Sequence, residues 1–199
     1  AQREAARAAL ALVSNNAQTQ VLNAKLGGIP PLIELIAKAK GDTQEFAARA
    51  LWHCAGNDDS KSIIAESGGI PPLVAMLSVE DVHAQEISTV VIARLARDNS
   101  KVSVTIAEVD GIIPLVKLLN SGSAVAQLQA AAALGEVGAV PDNRDKIAEA
   151  GGIKPLVRCL NSTVTGLPEV AARALSRLAR DGVDSGDDGG AEPNEPPEV

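Results

Sequence analysis

The side chains able to do chemistry in this 199-residue chain are few, and their spacing narrows what they could do. His53 and His83 are the only histidines, and neither has a Cys or His partner at ligand spacing, so no metal site is expected. The serines of "DDSKS" and "DNSKV" stand beside acids but lack a histidine at matching positions. They are expected to cap the helices that follow rather than to act as nucleophiles. "GGIPP", at Gly27 and again at Gly68, is glycine-rich, but it follows a helical pattern and its prolines lack the amides a phosphate loop needs. Cys54 and Cys159 lie within apolar helical patterns and are expected to be reduced, buried and structural, which points to the cytoplasm or nucleus. The chain therefore reads as non-catalytic and cofactor-free. What remains is arginine chemistry, the bidentate bonding of carboxylates and phosphates.

The composition is that of a soluble globular protein, with Trp52 and Phe46 as its only aromatic residues. Ala, Leu, Val and Ile must fill the core, which favours closely packed helices. The formal charge of -7 is unevenly spread. Asp181, Asp184, Asp187, Asp188, Glu192, Glu195 and Glu198 carry all of it, and residues 1–180 are neutral overall. A neutral body argues against duplex nucleic acid as a partner, because phosphate neutralisation needs surplus Lys and Arg. No run of about 18 apolar residues is present to span a membrane.

One motif recurs four times without gaps: "GGIPPLIEL" from Gly27, "GGIPPLVAM" from Gly68, "DGIIPLVKL" from Asp110 and "GGIKPLVRC" from Gly151. A glycine just past a helix can close its last turn in the left-handed conformation, and a proline in the next first turn sacrifices no hydrogen bond. The motif thus predicts helix stop, corner and helix start. A longer amphipathic helix follows each time: "TQEFAARALWHCA", "AQEISTVVIARLA", "VAQLQAAAALGEV" and "LPEVAARALSRLA". "QREAARAALAL" matches that third helix, so the chain opens inside a repeat and further repeats upstream are expected. The expected units are 1–15 (a third helix only), 16–57, 58–98, 99–140 and 141–180, followed by an acidic disordered tail at 181–199. Two departures stand out. "DGIIP" lacks one glycine, and Leu22 stands one place off the column of Ile64, Ile106 and Ile147.

Three helices per repeat with this Gly corner resemble the armadillo repeat family over residues 2 to about 180. The resemblance implies an all-α, right-handed superhelical solenoid of three-helix repeats (an alpha-alpha superhelix). In it the third helices line a concave groove that grips extended peptides. A two-helix HEAT-type array is the structural alternative, but it normally lacks such a corner.

On that geometry two columns face the groove, four residues apart and therefore one above the other on the helix. The first reads Arg7, Arg49, Val90, Ala132, Arg173 and the second Ala11, His53, Arg94, Glu136, Arg177. The tryptophans and asparagines with which nuclear import receptors of the family clamp basic peptides are absent from all five rungs. The candidate partner-binding residues are Arg7, Arg49, Trp52, His53, Arg94, Glu136, Arg173 and Arg177. They would favour acidic or phosphorylated protein segments. The plainer reading pairs Glu45 with Arg49 and Glu169 with Arg173 as ordinary helix-stabilising neighbours. The acidic tail could also fold back onto the arginines. The resemblance admits three further roles: the substrate-recruiting region of a U-box ubiquitin ligase, a nuclear transport adaptor, and a scaffold at a membrane or the cytoskeleton.

Overall fold

The computed structural model describes residues 1–14 and 17–179, and the acidic tail with its expected disorder lies outside them. In chain order the helices are α1 (Gln2–Ser14), α2 (Ala17–Lys25), α3 (Ile29–Lys38), α4 (Asp42–Cys54), α5 (Asp58–Glu66), α6 (Ile70–Met76), α7 (Val82–Ala96), α8 (Ser100–Glu108), α9 (Ile112–Ser121), α10 (Ala124–Val137), α11 (Pro141–Glu149), α12 (Ile153–Cys159) and α13 (Leu167–Leu178). There is no strand among the described residues.

The corner is a Schellman stop built from two glycines with different duties. Gly68 adopts φ +75° and Gly151 the same value, a region where a side chain is strained. The Gly69 amide donates to the Ile64 carbonyl at 2.9 Å and that of Gly152 to Ile147 at 2.9 Å. Gly69 itself has ordinary helical angles, φ -75° and ψ -20°, so its duty is space rather than conformation. A Cβ there would lie 2.8 Å from both the carbonyl oxygen and a methyl carbon of Ile64. Where the motif reads "DGIIP", Asp110 takes the left-handed position at φ +58°. Aspartate is among the few non-glycine residues that tolerate it. The missing glycine therefore leaves the corner intact.

The helices stack in layers. The third helices pack successively, α1 on α4, α4 on α7, α7 on α10 and α10 on α13. The second helices follow as α3 against α6 and α9 against α12, and the first as α2, α5, α8 and α11. Ile64, Ile106 and Ile147 are wholly buried beneath their corners, as are Leu51, Leu95 and Leu134 of the third helices. Cys54 and Cys159 are buried, free thiols. Burial pushes the pKa of both upward.

One expectation needs correction. The serines of "DDSKS" and "DNSKV" do not cap the first helices. Asn57 does so for α5, accepting from the Ser60 amide at 2.9 Å, and Asn99 for α8, accepting from Val102 at 3.0 Å. Asparagine precedes the first helical residue in an extended conformation, which leaves its carbonyl free to reach the exposed amides. Ser60 lies inside the helix and is buried.

Leu22, in turn, is 53 % exposed, and the residue under the first corner is Asn23. Its Nδ2 donates to Cys54 Sγ at 3.4 Å. Replacing Asn23 with isoleucine, the residue used under the other three corners, is expected to raise the unfolding free energy by about 1–2 kcal/mol. Urea titration followed by far-UV circular dichroism checks this. An unchanged or lowered midpoint would mean that the contact with Cys54 matters more than apolar burial.

Candidate functional site

The third-helix layer brings together most of the residues expected to meet a partner, in two separate groups. The first spans α4 and α7. Trp52 and His53 stand side by side near the end of α4, their rings edge to face at 4.8 Å between centroids and 83° between planes. Arg94, on α7, lays its guanidinium 4.4 Å from the centre of the Trp52 ring. Its Nε donates to the carbonyl of Ala55 at 3.0 Å. The arginine is thus fixed at both ends, by an aromatic face and by a helix-terminal carbonyl. Desolvation, and after it the charge of Arg97, lowers the pKa of Arg94. Burial, and after it Arg94, lowers that of His53, so the imidazole resists protonation. Trp52 is half-buried against the core and meets the next repeat through Arg94.

The second group spans α10 and α13. Glu136 and Arg177 form an ion pair across the two helices at 2.6 Å, with the glutamate side chain only 14 % exposed. Beside them is a pocket of about 400 Å³, closed at one side by Arg97 and Asp98 at the end of α7. Arg173 and Arg177 supply its cationic wall, and Leu128 and Val170 an apolar one. Gly135, in its lining, lets α13 pack closely on α10, since a Cβ there would sit 3.0 Å from Ala174.

The remaining columns divide. Arg49 pairs with Glu45 at 2.6 Å, the local neighbour expected from spacing. The equivalent Glu169 and Arg173 form no ion pair with each other, and Arg173 has none with any of the described residues. Arg7 is exposed, likewise without an ion pair among the described residues, and Ala11 is exposed near it. Val90 and Ala132 are half-buried spacers.

Arg97 was not among the expected residues. Its carbonyl accepts from Lys61 Nζ at 2.7 Å, and that lysine, 8 % exposed, also bonds Asp58 at 2.9 Å. A signal existed in the sequence: "RLARD" occurs at 94–98 and again at 177–181, placing an arginine three residues after each second-column arginine.

An all-helical stack whose longest helices present charged side chains and a shallow pocket in one layer is a solenoid interaction module. The profile of the Armadillo/beta-catenin-like repeat matches residues 57–97 and 141–180. An engineered protein of known structure superimposes with a TM-score of 0.86 at 31 % identity, covering 91 % of this chain and 44 % of its own. This chain therefore spans less than half of that protein's length. Computationally designed armadillo repeat proteins for modular peptide recognition give 0.83 at 25 % identity, covering 87 % and 74 %. A designed armadillo repeat protein in complex with the peptide (KR)4 gives 0.81 at 24 %, also covering 87 % and 74 %. Among curated proteins none matches the sequence at a significant level. The chain belongs to the armadillo repeat family.

Proposed function

We propose that this armadillo solenoid is a non-catalytic scaffold whose third-helix layer forms a concave groove for extended acidic or phosphorylated protein segments. The observation that carries the polarity is Arg94. It already covers the Trp52 ring at 4.4 Å, where the cationic side chain of a basic peptide would stack, so the protein's own charge occupies that face. A second positive side chain approaching there would meet repulsion, whereas a carboxylate would find oriented N–H donors. That the structural neighbours include designed proteins made for peptide recognition supports a peptide-binding role in general. The one in complex with (KR)4 supports the geometry but would have the opposite polarity.

The acidic segment 181–199 belongs to the same reading. It follows α13, the helix that carries Arg173 and Arg177, and its seven carboxylates would be held near the arginines at high effective concentration. It would act as a competitor for the groove. A cytoplasmic or nuclear location suits the two free thiols. The absence of the import receptors' tryptophan and asparagine pair in all five rungs weighs against a nuclear transport adaptor. A substrate-recruiting role beside a ubiquitin-ligase module would use the same groove.

The test is fluorescence anisotropy with labelled extended peptides, acidic ones against (KR)4, on the full chain and on a variant lacking 182–199. Acidic peptides should bind, more tightly without the tail and more weakly as salt rises. Tighter binding of (KR)4 than of acidic peptides would sink the reading, and unchanged affinity at low salt would remove the tail from it.

A further inference from the structure

The pocket between α10 and α13 has a charge arrangement that a simple acidic-peptide groove does not need. Three arginines and two acids line it, yet these charges do not all neutralise one another. Glu136 is committed to Arg177 at 2.6 Å. Arg97 and Arg173 have no ion pair with any of the described residues, and they stand on different walls, one at the end of α7 and the other on α13. Both side chains are exposed, but the backbone that carries each is held in place. The backbone of Arg97 is anchored from behind by buried Lys61, and Asp98 turns the chain immediately afterwards at φ +54°. Arg173 projects from the middle of a helix whose opposite face is packed on α10. The volume of about 400 Å³ exceeds what one carboxylate would fill, and Leu128 and Val170 offer apolar surface for the group that carries the charge.

A carboxylate has two oxygens and is satisfied by one bidentate guanidinium. A phosphomonoester has three terminal oxygens and close to two negative charges, and it suits two guanidiniums approaching from different sides. Arg177, tied to Glu136, would then stay as a neutralised flank and not a third ligand.

Resting on the acidic-peptide reading above, we propose that this pocket binds the phosphomonoester of a phosphorylated side chain in a peptide laid along the third helices, clamped between Arg97 and Arg173. The pocket is a subsite for one modified residue, and phosphorylation of the partner strengthens binding. Phosphoserine and phosphotyrosine share the headgroup chemistry and differ in the length of side chain that must lie against Leu128 and Val170.

The test compares one acidic peptide with serine, glutamate, phosphoserine or phosphotyrosine at a single central position, titrated into the full chain. At least one phosphorylated form should bind about tenfold or more tightly than the serine form, and more tightly than the glutamate form. In Arg97→Ala and Arg173→Ala that advantage should fall towards unity, while Lys40→Ala, an exposed site after α3 and outside the third-helix layer, should leave it in place. Both arginines are exposed, so circular dichroism should report an unchanged fold. If acidic peptides bind but phosphorylation adds less than about twofold, or the increment survives in both variants, the subsite is refuted while the acidic-peptide reading stands. If no acidic form binds at all, both fail. Inorganic phosphate competing as strongly as the phosphopeptide would also overturn the proposal, since the pocket would then take the free ion.

Discussion

Replacing Ile106 with alanine is expected to lower the unfolding free energy by about 2–5 kcal/mol, a large single-site loss for a fold of this size. Ile106 is wholly buried in the third complete corner. Its carbonyl accepts from the Gly111 amide at 2.8 Å, and its γ-methyl lies 2.8 Å from where a Gly111 Cβ would be, so side chain and backbone close the same turn. Truncation would leave a void that the surrounding helices cannot fill. α8 is held by α5, α6, α7, α10 and α11 at once, and collapse towards the gap would have to drag several of them. In a solenoid each repeat draws stability from its neighbours, so the loss should spread to the interface with α11. Urea unfolding by circular dichroism measures the effect. A loss below about 1 kcal/mol would show that the corner depends on its glycines and not on the isoleucine beneath them.

The double charge reversal Arg49→Glu with Arg173→Glu is expected to weaken binding of acidic peptides by about 10–100-fold, the size of two lost charge-assisted contacts at exposed positions. Both side chains project from the third-helix layer, on α4 and α13, and both are exposed. Arg49 has Glu45 as its ion-pair partner and Arg173 has none among the described residues, so little of the fold depends on either. The surface ion pair with Glu45 is worth at most about 1 kcal/mol. Binding should therefore change with almost no change in melting temperature. Anisotropy titrations at low and moderate salt check it. Affinity for acidic peptides within twofold of the unaltered chain would place the binding surface elsewhere.

The corners were legible in the sequence because all their causes are local. A left-handed glycine, a proline in the next first turn and an isoleucine five residues before the second glycine act within about a dozen residues, and they recur often enough to expose the pattern. Asp110, in place of the first glycine of its corner, is tolerated for a local reason too, the freedom of aspartate to adopt positive φ. The third helices were equally plain from their apolar spacing. The capping residues were misread by a few positions, because serine and asparagine compete for the same role and backbone geometry selects between them.

The site divides along the same line. Spacing alone found the Glu45–Arg49 pair, yet the same spacing at Glu169 and Arg173 produces no ion pair. A four-residue interval shows that two side chains can meet, not whether something in the next repeat holds one of them more firmly. The contacts that arrange the third-helix layer are long-range, some between repeats and some between the first and third helices of one repeat. Arg94 reaches Ala55 and Trp52, Glu136 reaches Arg177, Lys61 reaches Arg97, and Asn23 reaches Cys54. Each joins residues thirty or more positions apart. The sequence by itself determined a helical stack of repeats with arginine-rich third helices, because helix, corner and period are short-range properties. Only the tertiary structure decided which arginines are neutralised, which is stacked and which two face an open pocket, because those outcomes depend on distances between neighbouring helices that no single repeat contains.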